Sequence, residues 1–220
     1  MWLALLIVWS ASGHPHYPTE VYGQTVAFVS DVGARPHFKP VFISLATTTA
    51  LTFVPIVIAH LCCWTSEDRS LRKSSVLRIL STISIILILL GSACLIGLTV
   101  LDLQHHFNVH YALLSASLPG YFFSGVLLCV HDYLRLRHQR CRQNQHSEDE
   151  EKSMVQDSQS PPVKPKALGF RVAVLSVEFV LLTLFSAFCW GNIFYNAAGV
   201  IEWCVVGIFG VYIGSFAMDF

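Results

Sequence analysis

From Ile79 to Leu101 the chain runs for twenty-three residues without a formal charge. Four further stretches, Pro40 to Trp64, Tyr111 to Val130, Val172 to Ile193 and Ala197 to Met218, are nearly as apolar and of similar length. Roughly 20 apolar residues let a helix cross about 30 Å of hydrocarbon. Helix is the required conformation there, because lipid offers no partner to a free backbone N–H or C=O. The pattern predicts an all-α fold: a polytopic transmembrane helical bundle of five full spans plus a truncated first span. The spans are expected at about 1–11 (partial), 40–64, 76–101, 111–133, 170–193 and 197–218, within a single membrane domain covering 1–220. Met1 to Ala11 is too short to cross alone. It reads either as the core of a signal peptide ending near Ser10-Ala11-Ser12 or as the end of a span whose first half is missing.

Composition agrees with this class. The 220 residues are 54% hydrophobic and only 13% charged, with a mean hydropathy of +0.56. Fourteen Lys and Arg balance fourteen Asp and Glu, so no net field draws a nucleic acid or an acidic substrate. Charge placement is more informative than charge total. Twelve of the fourteen basic residues lie between spans two and three (Arg69, Arg72, Lys73, Arg78) or between four and five (Arg135 to Arg171), and only Arg35 and Lys39 lie opposite. Basic residues resist transfer, so those two loops are expected in the cytoplasm, and 12–39 and the two short turns outside.

Seven cysteines all fall in spans or on the basic side, and none in the exterior loops, so disulfides are not expected. Cys62, Cys63, Cys129 and Cys141 read either as palmitoylation sites near the inner surface or as small apolar helix residues. Residues 143–166 carry the acidic run Glu148 to Glu151 followed by Ser, Gln and Pro, a composition expected to form a disordered cytoplasmic loop. Just before it, Arg135, Arg137, Arg140 and Arg142 read as an anionic-headgroup site at roughly 1 kcal/mol per residue. The alternative is that they only set topology.

Ionisable residues at membrane depth are costly and therefore informative. His60 and Glu178 lie at similar depth from the basic side, so a contact between them is conceivable. Alternatively, Glu178 is protonated and hydrogen-bonded within the bundle. Glu178 and Glu202 differ in depth by roughly 10–15 Å along their helices, too far for a carboxylate pair flanking one bond. On the exterior side Asp31, Asp102, His105, His110, Glu202 and Trp203, with Asn192 and Asn196, can converge on the top of the bundle. Asp and His together can activate water or ligate a metal, yet the spacing matches no tight metal pattern and no cofactor is expected. The other reading is a hydrogen-bonded interfacial cap anchored by Trp190, Trp203, Tyr111 and Tyr195. Small-residue faces at Ala93/Gly97 and Gly210/Gly214 are expected to bring helices close. No phosphate loop, voltage sensor or pore filter occurs.

Read in order, Gly23 to Ala34 (GQTVAFVSDVGA) and Lys39 to Ile43, then Asp102, His105 and His110, then Trp190, Asn192 and Ala197 to Trp203 leading to Tyr212, Phe216 and Asp219, resemble the Frag/DRAM/Sfk family. This family includes the CWH-type N-terminal domain, and the fungal suppressor branch is the most similar. The resemblance implies six spans with both termini cytoplasmic, and it implies lipid biology with no transferable catalytic set. The first expectation is a non-enzymatic regulator of membrane lipid organisation or phosphoinositide signalling, with membrane lipids and a lipid kinase complex as partners. The alternatives are a lipid-remodelling enzyme or accessory factor for GPI-anchor or ceramide lipids, and an autophagy-modulating endomembrane protein. The plasma membrane is the expected compartment, with Golgi, reticulum or vacuole as alternatives.

Overall fold

The computed structural model describes residues 2–20, 23–67, 74–101, 103, 105–149, 165–191 and 194–218. These form seven α-helices in chain order: α1 (Leu3–Ala11), α2 (Val29–Gly33), α3 (Lys39–Glu67), α4 (Ser75–Val100), α5 (Phe107–Asp149), α6 (Pro165–Gly191) and α7 (Tyr195–Gly214). A 3₁₀ turn, Ser215–Met218, closes the last helix. No strand occurs among the described residues. Five helices, α3 to α7, are long and apolar enough to cross a membrane, within Lys39–Cys62, Ser75–Val100, Phe107–Cys141, Pro165–Cys189 and Tyr195–Met218.

Their outward faces explain why. On α4, Val76, Ile79, Ile83, Ile86, Leu89 and Leu90 all point away from the bundle, while Leu77, Ile88 and Leu98 are buried in it. A helix that is apolar all round suits hydrocarbon on one side and protein on the other. The few hydroxyls on these faces bond back into their own helix. Thr52 donates to the Thr48 carbonyl, Ser176 to Val172 and Thr183 to Phe179, each at 2.8 Å. Such back-bonding satisfies the side chain where no water is present.

Sequential helices pack as neighbours from α3 to α7, and α2 touches both α3 and α7. The circuit closes through aromatic rings: Phe53 of α3 meets Phe209 and Tyr212 of α7 at 5.4 and 6.1 Å between centroids. Two positions set the tightest helix pair. A Cβ on Gly91 would stand 3.3 Å from the Ser117 carbonyl oxygen, and one on Gly120 would stand 3.2 Å from the Gly91 Cα. With no side chain between them, α4 and α5 approach closely enough for polar groups to bond across. Ser84 and Ser124 share hydroxyls at 2.9 Å, and Tyr121 donates to Ser92 at 2.9 Å. The close approach therefore lies at Gly91 and Gly120 rather than at the small-residue faces expected from spacing. Ala93 is exposed, Gly97 faces Leu113, and Gly210 and Gly214 have open space at their Cβ positions.

Two boundaries also differ from expectation. Helix α5 runs for 43 residues, about 65 Å at 1.5 Å per residue, and so continues through 143–149, part of the stretch expected to be disordered. The rest of that stretch up to 164 lies outside the described residues, as do Asp102, Asn192 and Asp219. Helix α6 begins at Pro165, ahead of the expected start of its span at 170, and carries Arg171 in its second turn. Helix α1 packs Leu5 and Trp9 into the core beside Phe42 and Trp203. Its neighbour Trp2 donates its indole N–H to Thr49 at 3.2 Å.

Gly91→Leu or Gly120→Leu is expected to push α4 and α5 apart and lower stability by about 1–3 kcal/mol, the usual cost of overpacking. Gly210→Leu, at an open position, is expected to have little effect. Thermal unfolding of the purified variants in detergent measures the contrast.

Candidate functional site

The bundle has two ends of opposite character, the loop end carrying residues 12–38 and the basic end carrying Arg135 and Arg171. At the loop end, α2 is only five residues long and cannot stabilise itself. Its first backbone N–H groups would be orphans in a buried position. Two carboxylates meet them. Asp31 Oδ2 accepts from the Phe28 N–H at 3.0 Å, and Glu202 Oε2, reaching across from α7, accepts from the Val29 N–H at 2.7 Å. Thr19 donates its hydroxyl to the other oxygen of Asp31. Burial pushes the Asp31 carboxyl above its ordinary value, while the bonds from Thr19 and Phe28 pull the other way.

The rest of residues 23–33 is fastened to one face of α7. Asn196 Oδ1 accepts from the N–H groups of Thr25 and Val26 at 2.6 and 3.1 Å. One turn on, Gly199 lets the loop lie against the helix, since a Cβ there would stand 2.9 Å from the Val26 carbonyl oxygen. A further turn on, Trp203 donates its indole N–H to the Ala27 carbonyl at 3.0 Å. Positions 196, 199, 202 and 203 share a face by helical periodicity. Gly33 completes the fit, because a Cβ on it would collide with the Phe42 ring at 2.4 Å.

Of the expected exterior residues, Asp31, Glu202 and Trp203 thus meet on a single segment. His110 is buried nearby, and its Nδ1 lies 3.2 Å from the Leu101 carbonyl at the end of α4, so that nitrogen carries the proton. His105 is exposed, and Asp102 is outside the described residues. Among the described residues no three His, Cys, Asp or Glu side chains gather closely enough to hold a metal ion.

The basic end holds a cluster that charge counting did not reveal. Asp132 of α5 is buried and accepts from three directions. His60 Nε2 of α3 lies 3.1 and 3.2 Å from its two oxygens, Arg171 of α6 donates at 3.0 Å, and His131 Nδ1 sits at 3.4 Å. Arg171 also donates to the Ser215 hydroxyl at 3.3 Å and lies 4.1 Å over the Phe216 ring. Three helices, α3, α5 and α6, thus meet at one carboxylate, and Arg171 ties in the closing 3₁₀ turn. His60 therefore pairs with Asp132 and not with Glu178. Arg135, one turn beyond Asp132 on the same face, is buried at 2% exposure, whereas Arg137 and Arg140 are exposed. Arg135 accordingly leaves the expected surface row, because a helix turns positions 132 and 135 to the same inward side. The Arg142 side chain is outside the described residues. The available signal was Asp132 itself, a lone acid at the basic end of a span.

Between the two ends lies a cavity of about 80 Å³. Its walls are mainly aliphatic and aromatic, with His110, Ser30 and Glu202 towards the loop end and Glu178 and Tyr212 deeper. Glu178 is 7% exposed, and its Oε2 has no hydrogen-bond partner, nor has the Tyr212 hydroxyl.

The Frag1/DRAM/Sfk1/Cwh43P N-terminal domain family matches the chain over residues 1–220. No curated protein and no solved structure matches it.

Glu202→Gln keeps an acceptor for the Val29 N–H and is expected to fold normally. Glu202→Ala leaves that buried donor unpaired and is expected to cost about 1–3 kcal/mol. At the basic end, Asp132→Ala strands Arg171 without its counter-charge, with an expected loss of about 3–5 kcal/mol. Adding Arg171→Met is expected to recover part of that loss. Denaturant unfolding in micelles, read as a double-mutant cycle, tests both pairs of expectations.

Proposed function

The chain belongs to the Frag1/DRAM/Sfk1/Cwh43P N-terminal domain family and is a multispan integral membrane protein, and from this premise we propose that it is a non-enzymatic regulator of membrane lipid organisation. The bundle takes a lipid between its helices, and the exposed Arg137 and Arg140 engage anionic headgroups, phosphoinositides among them, at the inner surface. The observation that carries this reading is the cavity itself. All five long helices contribute to an apolar-walled space in a protein whose outer faces already meet hydrocarbon. An interior shaped for an apolar ligand, with few and well-separated polar groups, is the usual form of a lipid or small-molecule site.

The acids at the loop end support a regulatory reading over a catalytic one. Asp31 and Glu202 are each engaged by backbone amides that would be orphaned without them. A group fixed in that way holds the fold and is poorly placed to exchange protons with a substrate. One observation favours the second reading, a lipid-remodelling enzyme or accessory factor for GPI-anchor or ceramide lipids: His110 and Glu202 line the same cavity. In the first reading the plasma membrane is the working compartment and a lipid kinase complex the partner at the basic surface. An endomembrane role in autophagy differs in address more than in chemistry.

Leaflet-resolved lipid reporters in cells test the proposal. Leu118→Trp, which fills the cavity, and the triple change Arg137→Ala, Arg140→Ala, Arg142→Ala are each expected to shift the reporter pattern at unchanged protein level. The triple change removes roughly 3 kcal/mol of headgroup attraction. Arg135 is left in place because it is buried. A wild-type pattern with both variants rejects the regulatory reading, and lipid turnover by the purified protein that is lost in His110→Gln favours the enzyme.

A further inference from the structure

The ionisable side chains lining the cavity are Glu178, Glu202, His110, Tyr121 and Tyr212, and among its lining residues there is no Lys or Arg. The Glu202 carboxylate is engaged by the Val29 N–H. Glu178 differs: it is 7% exposed, faces the apolar space, and leaves Oε2 without a partner, as is the deeper Tyr212 hydroxyl. A buried acceptor left unmade is costly, so an unpartnered carboxyl aimed into an empty space marks the place of a donor that the protein does not itself supply.

The surroundings narrow the donor. An anionic headgroup would enter a space whose ionisable lining includes two carboxyls and no permanent cation, and its own charge would be stranded in a low-dielectric interior. A neutral hydroxyl would satisfy one acceptor and leave the acidity without a use. A primary ammonium supplies three N–H donors and the missing positive charge. The aromatic walls, Tyr121, Phe122, Phe209 and Tyr212 among them, offer ring faces that attract a cation as well as apolar area for a chain. The volume of about 80 Å³ holds roughly six groups of the size of a water or methylene, by the space one water requires. That is enough for an ammonium head and the first carbons of an alkyl chain.

We infer that the cavity is selective for a single-chain amphiphile bearing a primary amine, whose ammonium is received by Glu178 while its chain follows the apolar walls. This rests on the reading that the bundle holds a lipid between its helices, and it names that lipid by its head. It also separates two lipid chemistries in one molecule, with cationic amphiphiles inside the bundle and anionic headgroups at its basic surface.

The test uses the full chain in phosphatidylcholine nanodiscs loaded in turn with octadecylamine, octadecanol or stearate, with ligand retained on the protein counted by native mass spectrometry. The expected order is amine over alcohol over acid. Glu178→Gln is expected to lower amine retention by roughly tenfold, which corresponds to about 1.4 kcal/mol, and to leave alcohol retention unchanged. The ranking on the wild-type chain needs no variant, so it stands even if Glu178→Gln unfolds. Sphingosine and lysophosphatidylethanolamine then separate the two membrane sources of a single-chain amine. Sphingosine is expected to bind better, because the phosphate of the other would meet carboxyls. Alcohol retained as well as amine, or stearate preferred, overturns the ammonium assignment while leaving a lipid cavity in place. No retention of any of the three overturns both.

Discussion

Hydrocarbon supplies no hydrogen-bond partner, so every polar group carried into this bundle must find one within the protein or be left at a cost. That constraint organises both of its ends. At the loop end it is backbone that needs partners: the segment 23–33 dips into the bundle and brings its amide groups with it. Asn196, Glu202 and Trp203 on one face of α7, with Asp31 from the segment itself, receive or donate what those groups require. At the basic end it is side chains. Asp132 can be buried because His60, His131 and Arg171 surround it, and Arg171 because Asp132, Ser215 and the Phe216 ring surround it in turn. Removing a partner at either end leaves a buried group unpaired, so the loop-end clasp binds the segment 23–33 to α7 and the basic-end cluster binds three helices together.

The two ends also give meaning to the residues through which the chain resembles its family. Gly23 to Ala34 and Ala197 to Trp203, remote in sequence, are halves of one clasp. Gly199 and Gly33 are the points where backbone or ring approaches too closely for a side chain. A signature of this kind first serves the fold. Below the clasp, His110, Ser30 and Glu202 line the wall of the cavity.

The spans were legible in the sequence because a charge-free run of roughly twenty residues has one physical solution. Span positions agree with the helices to within a few residues. The exceptions are α5, which continues as helix to Asp149, and α6, which begins at Pro165, ahead of its expected start at 170. What lay beyond a linear reading was which face each polar residue takes. Arg135 was read with Arg137 and Arg140 as a surface row, although a helix turns successive positions by about 100° and sends 135 inward with 132. His60 was matched in depth with Glu178, and depth was right for neither partner's choice: His60 meets the acid on α5, and Glu178 meets open space. Small-residue spacing likewise marked Ala93 and Gly210, while the contact was made at Gly91 and Gly120. Periodicity locates helices, and only the assembled bundle decides which of their faces meet.

One consequence of that assembly concerns the charge of the interior. Both guanidinium groups buried in the bundle, Arg135 and Arg171, lie at the basic end, and the carboxyls lining the cavity lie above them. The two levels therefore offer different partners, guanidinium donors below and carboxyl acceptors above, across a low dielectric. On the proposed reading, a cation entering the cavity is received by the carboxyls, while an anion is held at the basic surface. On that reading the bundle sorts lipids by charge at two levels with no moving part, with Asp132 holding Arg171 in place at the lower one. The same carboxylate that stabilises the fold then also sets the floor of the site.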